Sequence, residues 1–320
     1  MKIAPIDDWP VLDNFYRKLA QDMHAHGITS LTTGGFACVL YSLTQKTKDC
    51  DIIIPIQKTD AALRLLARTT LESHKCHLTL KYGAPLHERW LNGGWSSHTY
   101  FGPPSQPIAR VDIFGNPPRV CSLEADENPL FLSRDGVARM KKTQRDKDWA
   151  FVNLLGNQML LRGDPAGLLH ITDPQRLVKV ARNTTISQSM LTERPMLKLA
   201  VEDSPDVERY VKAEKDFLFA LDRLRLDAYE KAWVPYGTAI QNIPGILQLE
   251  LQDQNQALIQ IAEQTLDPNP IQTVGWHKLI EQAKNKTTQI FQNLDASLLP
   301  TPNSFFGQTD GCTGNSDQEL

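Results

Sequence analysis

The spacing of apolar residues changes along this chain, and that change limits its fold more than any other feature. Up to residue 114, short runs that alternate or are continuously apolar (ITSLTTGG, CDIIIPI, CHLTLKYG, ARVDIFG) read as strands. Between and before them lie stretches of helical spacing. Residues 9 to 26, WPVLDNFYRKLAQDMHAH, carry Val11, Leu12, Phe15, Leu19 and Met23 on one face with Gly27 as a stop, and FACVLYSLT and DAALRLLARTTLE repeat the pattern. Residues 83 to 107 are rich in Gly, Pro and aromatics without a clear period, and read as a long functional loop. From Leu132 onward the helical period takes over. GVARMKKTQRDKDWAFVNLLGNQMLLRG sets Val137, Met140, Trp149, Val152, Leu155 and Met159 near one stripe, which predicts a single joining helix. The expectation is an α/β domain over 1–130 with a mixed sheet and flanking helices, then a mainly helical domain over 131–300. The polar, glycine-bearing stretch 301–320 reads as a disordered tail.

At 320 residues, with 41% hydrophobic and 22% charged, the chain has the length of two domains and can bury a sizeable core. A net charge of -3 and pI near 6.2 exclude a global pull toward nucleic acid or anionic membrane, so any such contact must be local. Five widely spread cysteines, Cys38, Cys50, Cys76, Cys121 and Cys312, suit reduced thiols rather than a disulfide framework. There is no leader-like pattern at the start and no membrane-length apolar run, so a cytoplasmic location is expected.

The stretch KTKDCDIIIP, 46 to 55, puts two aspartates at the mouth of a strand. Alternation throws Asp49 and Asp51 to one face and Cys50 to the other. Two carboxylates side by side repel unless a cation or a proton intervenes. An isolated pair of this kind is usually only a solvated strand end, so the neighbours decide. Gly34 and Gly35 end the preceding strand and open a helix, where backbone N–H groups can meet phosphate. A third acid, Asp112, sits between Val111 and Ile113 in the strand ARVDIFG. Three carboxylates on adjacent strands are hard oxygen ligands of the kind magnesium takes. His74, Cys76 and His77 in HKCH do not make a zinc site, because alternation separates them. His87 and His98, with Trp90, Trp95 and Tyr100, either meet a base or acceptor or pack the loop.

Taken together, TTGGFACVLYSLTQKTKDCDIII and RVDIF resemble the DNA polymerase beta-like nucleotidyltransferase superfamily, whose pattern is Gly-Gly or Gly-Ser, a helix, Asp-x-Asp and a distant third Asp. MKKTQRDKDWAFVNLL looks like the Lys-containing helix of minimal bacterial nucleotidyltransferases, including abortive-infection toxin relatives. The resemblance covers roughly the first half of the chain. It implies a nucleotidyltransferase-like mixed sheet and Mg2+-dependent transfer of one or several NMP units from an NTP, such as ATP, to an acceptor hydroxyl on RNA, protein or a small molecule. Asp49, Asp51 and Asp112 would be the metal-binding and catalytic acids, with Mn2+ as an alternative to Mg2+. Gly34, Gly35, Lys48 and Lys141 are the candidate nucleotide-binding residues, the choice between Lys141 and Lys142 being open. The alternative is an inactive module of the same fold that binds nucleotide, or a protein partner through its helical half. If the three acids converge without metal, their repulsion implies that Asp112→Asn melts at or above wild type in chelator.

Overall fold

The structure is a computed structural model that describes residues 9–120 and 122–300. The expected tail, 301–320, and Cys121 lie outside the described residues. Contacts divide the chain into two compact units. One comprises the chain to Pro117, Glu124–Leu132 and Ala228–Thr273, and the other Pro118–Leu123, Ser133–Asp227 and the chain from Val274. A single boundary near residue 130 therefore does not describe the protein, because the chain returns to the first unit after residue 227.

The first unit holds a six-stranded mixed sheet. Its strands are β1 (Leu31–Thr33), β2 (Cys50–Ile53), β3 (Thr70–Leu71), β4 (His74–Leu78), β5 (Ser96–Phe101) and β6 (Ala109–Phe114), in the order β1-β2-β6-β5-β4-β3. Only β2 and β6 pair in parallel; the other neighbours are antiparallel. Helix α1 (Trp9–Ala25) buries Leu12, Phe15, Tyr16, Leu19 and Met23, the face its spacing dictates. Phe15 meets Phe101 of β5 edge to face at 4.9 Å, and Tyr16 meets Phe36 at 5.4 Å. Phe36 belongs to α2 (Gly34–Leu40), which is seven residues long, shorter than the three turns that the spacing to Asp49 allows. Helix α3 (Thr59–Arg68) makes the start of the crossover from β2 toward β6.

Residues 83–107 are not one long loop. They contain α4 (Glu88–Asn92) and all of β5. The strand escapes hydrophobic patterning because its inward face carries hydroxyls: Ser97 and Thr99 are buried, donating to the carbonyls of Ala84 at 2.9 Å and Val111 at 2.8 Å. With those donors satisfied, burial of the polar atoms is tolerated. Trp90 and Trp95 are buried as well, and the Trp95 indole N–H donates to the Asp267 carbonyl at 2.9 Å.

The returning segment is tied in by two side-chain amides of the helix Leu251–Thr265. Gln254 accepts from the Leu78 N–H at 2.9 Å and donates to the Leu78 carbonyl at 3.1 Å. Asn255 does the same for Leu86, at 2.8 and 3.0 Å. Gln254 satisfies backbone groups at the end of β4 and Asn255 those of the buried Leu86 ahead of α4, which burial would otherwise penalise.

In the second unit, the expected joining helix is two helices. Helix α5 (Arg134–Met140) stops, and α6 (Asp146–Leu161) begins after a five-residue break. The break is held by local side-chain bonds that compete with helix continuation. The Thr143 hydroxyl donates to Asp148 at 2.8 Å, the Trp149 indole donates to the Thr143 carbonyl at 2.8 Å, and Arg145 pairs with Asp148 at 2.7 Å. Around these helices the unit packs Leu168, Leu177, Met196, Leu197 and Ala200 into an apolar core. Two buried ion pairs brace it, Arg194 with Glu214 at 2.7 Å and Arg119 with Asp222 at 2.6 Å.

Candidate functional site

Strand register brings the sequence-selected acids together. Antiparallel pairing of β1 with β2 sets Thr33 opposite Asp51, parallel pairing of β2 with β6 sets Asp51 beside Asp112, and antiparallel pairing of β6 with β5 sets Asp112 opposite His98. Residues in register on neighbouring strands project to the same face. Thr33, Asp51, Asp112 and His98 therefore form one row across four strands. The face is the half-exposed one: along β6, Arg110, Asp112 and Phe114 are partly exposed while Val111 and Ile113 are buried. Asp49 lies one residue before β2 and is also partly exposed.

The glycine turn is fitted to these acids. Gly34 directly follows β1, at the end of the strand where Thr33 faces Asp51. Its φ is +62°, and a Cβ there would fall 1.6 Å from Asp51 Oδ2. Both the backbone conformation and the space therefore require glycine. At Gly35 a Cβ would fall 2.3 Å from Thr47 Oγ1 and 3.6 Å from Asp49 Oδ1. Thr47 in turn donates to Asp49 Oδ1 at 3.2 Å. Each glycine is thus packed against one member of the Asp-x-Asp pair or its hydrogen-bond partner.

The electrostatics of the buried neighbours agree with this grouping. Burial pushes the Cys50 thiol well above its ordinary range, and the carboxylates of Asp51, Asp49 and Asp112 push it further. Burial likewise raises the Tyr16 hydroxyl, against the Arg110 N–H that donates to it at 3.3 Å; Cys50, Asp49 and Asp112 add to the rise. Three acids acting on one buried thiol place negative charge around the start of β2.

His98 supplies a partner for Asp112 that sequence reasoning missed. Its Nδ1 lies 2.7 Å from Asp112 Oδ1 and its Nε2 lies 3.2 Å from Ser96 Oγ. Burial opposes protonation of this imidazole, but the Asp112 carboxylate outweighs it, with a smaller contribution from Asp51, and the pKa is raised above the ordinary histidine value. A group whose folded-state pKa is raised stabilises the fold fully below its unfolded pKa, and that contribution is lost as pH rises through the folded value. Asp112→Asn is therefore expected to cost about 1 kcal/mol near pH 6 and less at alkaline pH, as urea unfolding at a series of pH values would measure. This reverses the expectation drawn from repulsion alone, in which the substitution relieves the chelated protein: Asp112 has an imidazole partner already.

The basic candidates divide. Lys48 is exposed and adjoins Asp49. Lys141 belongs to the second unit, where it caps the end of α5, is largely buried and lies 3.6 Å from Asp148. Lys142, the other option, donates to the Leu169 carbonyl at 2.9 Å, and burial lowers its pKa to about 8. Both are engaged within the second unit, where Arg145 also pairs with Asp148. His87 caps α4 by accepting from the Arg89 N–H at 3.1 Å.

The acids suit magnesium in chemistry, since all are carboxylates, and in position, since Asp51 and Asp112 are register neighbours with Asp49 two residues away. As the side chains stand, however, no three His, Cys, Asp or Glu among the described residues are gathered into a group that could hold a metal ion. Asp112 is turned to His98 and Asp49 to Thr47, so metal binding requires these carboxylates to reorient. Among the described residues no helix is long and apolar enough to cross a membrane. Comparison of the chain with protein-family models, with curated proteins and with solved structures found no match.

Proposed function

We propose that the first unit is the core of a Mg2+-dependent nucleotidyltransferase that moves a nucleoside monophosphate, or several in succession, from an NTP to an acceptor hydroxyl. One observation carries this reading: Asp51 and Asp112 are neighbours across a parallel strand pair, and the Gly34-Gly35 turn is packed against Asp51 and Asp49. Asp49, Asp51 and Asp112 are the residues that would hold Mg2+, or Mn2+ in its place. When bound, the metal polarises the phosphates and activates the acceptor oxygen. The chain's own part is to position. Gly34 and Gly35 leave backbone N–H groups without side chains to obstruct a phosphate, and the exposed Lys48 offers a cation beside Asp49. The mainly helical unit would select the acceptor, an RNA, a protein or a small molecule, as in a toxin-like enzyme. Incubation with each common NTP, Mg2+ and total cell RNA or protein tests the reading: pyrophosphate release and a labelled acceptor are expected, both lost in chelator. No release with any NTP counts against it. The Asp112–His98 pair favours a second reading, a nucleotide-binding module that does not turn over, because the third acid is held by an internal partner. That module would bind NTP and release no pyrophosphate.

A further inference from the structure

The row on the sheet ends in an arrangement that serves a different chemistry. Ser96 and His98 are two residues apart on β5 and share a face, and Asp112 lies opposite His98 on β6. One imidazole joins them. Its Nδ1 is 2.7 Å from Asp112 Oδ1, and its Nε2 is 3.2 Å from Ser96 Oγ. An ionised carboxylate only accepts, so Nδ1 carries a proton, and in the neutral ring Nε2 is left to accept from the Ser96 hydroxyl. This is the order of roles in a nucleophile–base–orienting acid relay, recognised by geometry and not by chain position. No such arrangement could be read from the sequence, because Asp112 is brought in by strand pairing.

A second contact fixes the ring. Gly83 lies so close to His98 that a Cβ there would fall 2.9 Å from its Cδ2. The imidazole is thus bounded by a carboxylate, a hydroxyl and a backbone that approaches closely because residue 83 has no side chain. Ser96 itself is partly exposed, so an electrophile can reach it.

We propose that Ser96 is a nucleophile, activated by His98 and oriented through Asp112, toward esters or anhydrides whose electrophilic centre is phosphorus. In the step, Ser96 Oγ forms a bond to phosphorus as the bond from phosphorus to its leaving group breaks. The hydroxyl proton passes to His98 Nε2, and the leaving group departs with its electron pair. The product is a phosphoester on the chain. The proposal stands apart from nucleotide transfer: it needs neither Asp49 nor a metal.

A fluorophosphonate probe in chelator tests it on the full chain. One covalent label is expected, mapped to the Ser96 peptide by mass spectrometry. It should vanish in Ser96→Ala and slow roughly a hundredfold in His98→Gln. Ser96→Cys, checked for an unchanged melting temperature, should alkylate faster than the buried thiols of Cys38, Cys50 and Cys76. Absence of label on wild type, a label elsewhere than Ser96, or a Ser96 label that His98→Gln does not slow, overturns the proposal. Because the probe reaction contains no NTP or metal, its failure is independent of the nucleotidyltransferase reading.

Discussion

Asp51→Asn is expected to lower Mg2+-dependent pyrophosphate release by roughly 10²–10³-fold or more, with the protein still folded. The effect on activity follows from position. Asp51 is the residue that both neighbours Asp112 across β2 and β6 and touches the Gly34 turn, so it is where metal and phosphate would meet. Asparagine keeps the shape, and so keeps the contact with Gly34, but loses the charge that binds a hard cation. The effect on the fold should be small because Asp51 is partly exposed, whereas the residues that follow it, Ile52 and Ile53, are buried and anchor the strand. Removing one of several like charges also relieves repulsion near Cys50, which the same carboxylates act upon. Pyrophosphate release and a thermal scan, run side by side, measure both. Equal rates in wild type and variant would remove Asp51 from the chemistry.

Gly34→Ala should be among the most destabilising single substitutions in the first unit, at roughly 2–5 kcal/mol. Two costs add. A side chain at φ +62° is strained whatever the space, and the new methyl group would fall 1.6 Å from Asp51 Oδ2 and 2.6 Å from its Cγ. The second cost depends on Asp51 and the first does not. In a double-mutant cycle with Asp51→Ala, the pair should therefore be less destabilised than the sum of the singles, by roughly 1–3 kcal/mol. The backbone strain should remain. Additive effects in urea unfolding would mean that Gly34 is needed for its φ alone, and that the turn is not fitted to the carboxylate.

Much of the first unit was legible because its local signals agree with its tertiary contacts. The α1 face buries the side its spacing dictates, the strand that ends at Gly34-Gly35 is buried along its length, and so is the apolar run after Asp51, as a continuously apolar strand is. Asp112 stood out as an acid set between Val111 and Ile113, both of them buried. What could not be read depends on partners distant in sequence. β5 was hidden because two of the three residues on its buried face, Ser97 and Thr99, are hydroxyl residues, satisfied by Ala84 and Val111, with Phe101 the third. The alternation of SSHTYF with its aromatic end was the available signal. The role of His98 follows only once β5 is registered on β6, since nothing near it in sequence points to Asp112.

The second unit misled in a different way. Periodicity carries the stripe of Val137 and Met140 on to Trp149, Val152, Leu155 and Met159 across the polar run KKTQRDKD, and so gives one helix. The break at 141–145 is set by Thr143, Arg145 and Asp148 bonding to one another, with Gln144 N–H donating to Asp222 at 3.0 Å. The return of 228–273 to the first unit was likewise illegible. Gln254 and Asn255 look like surface residues of an amphipathic helix until the backbone of Leu78 and Leu86 is placed against them.

The central claim is that Asp49, Asp51 and Asp112 form a metal–nucleotide site, and direct metal binding tests it without requiring an acceptor. Mn2+ is titrated into the protein with a non-hydrolysable NTP analogue, and free Mn2+ is followed by electron paramagnetic resonance for wild type, Asp51→Asn and Asp112→Asn. Wild type should take up Mn2+ saturably and only weakly without the analogue, and each variant should lose most of that uptake while keeping its folded signature. Equal uptake by wild type and both variants, or none by wild type, would contradict the account, and the acids would then be a solvated strand end with His98 as the partner of Asp112.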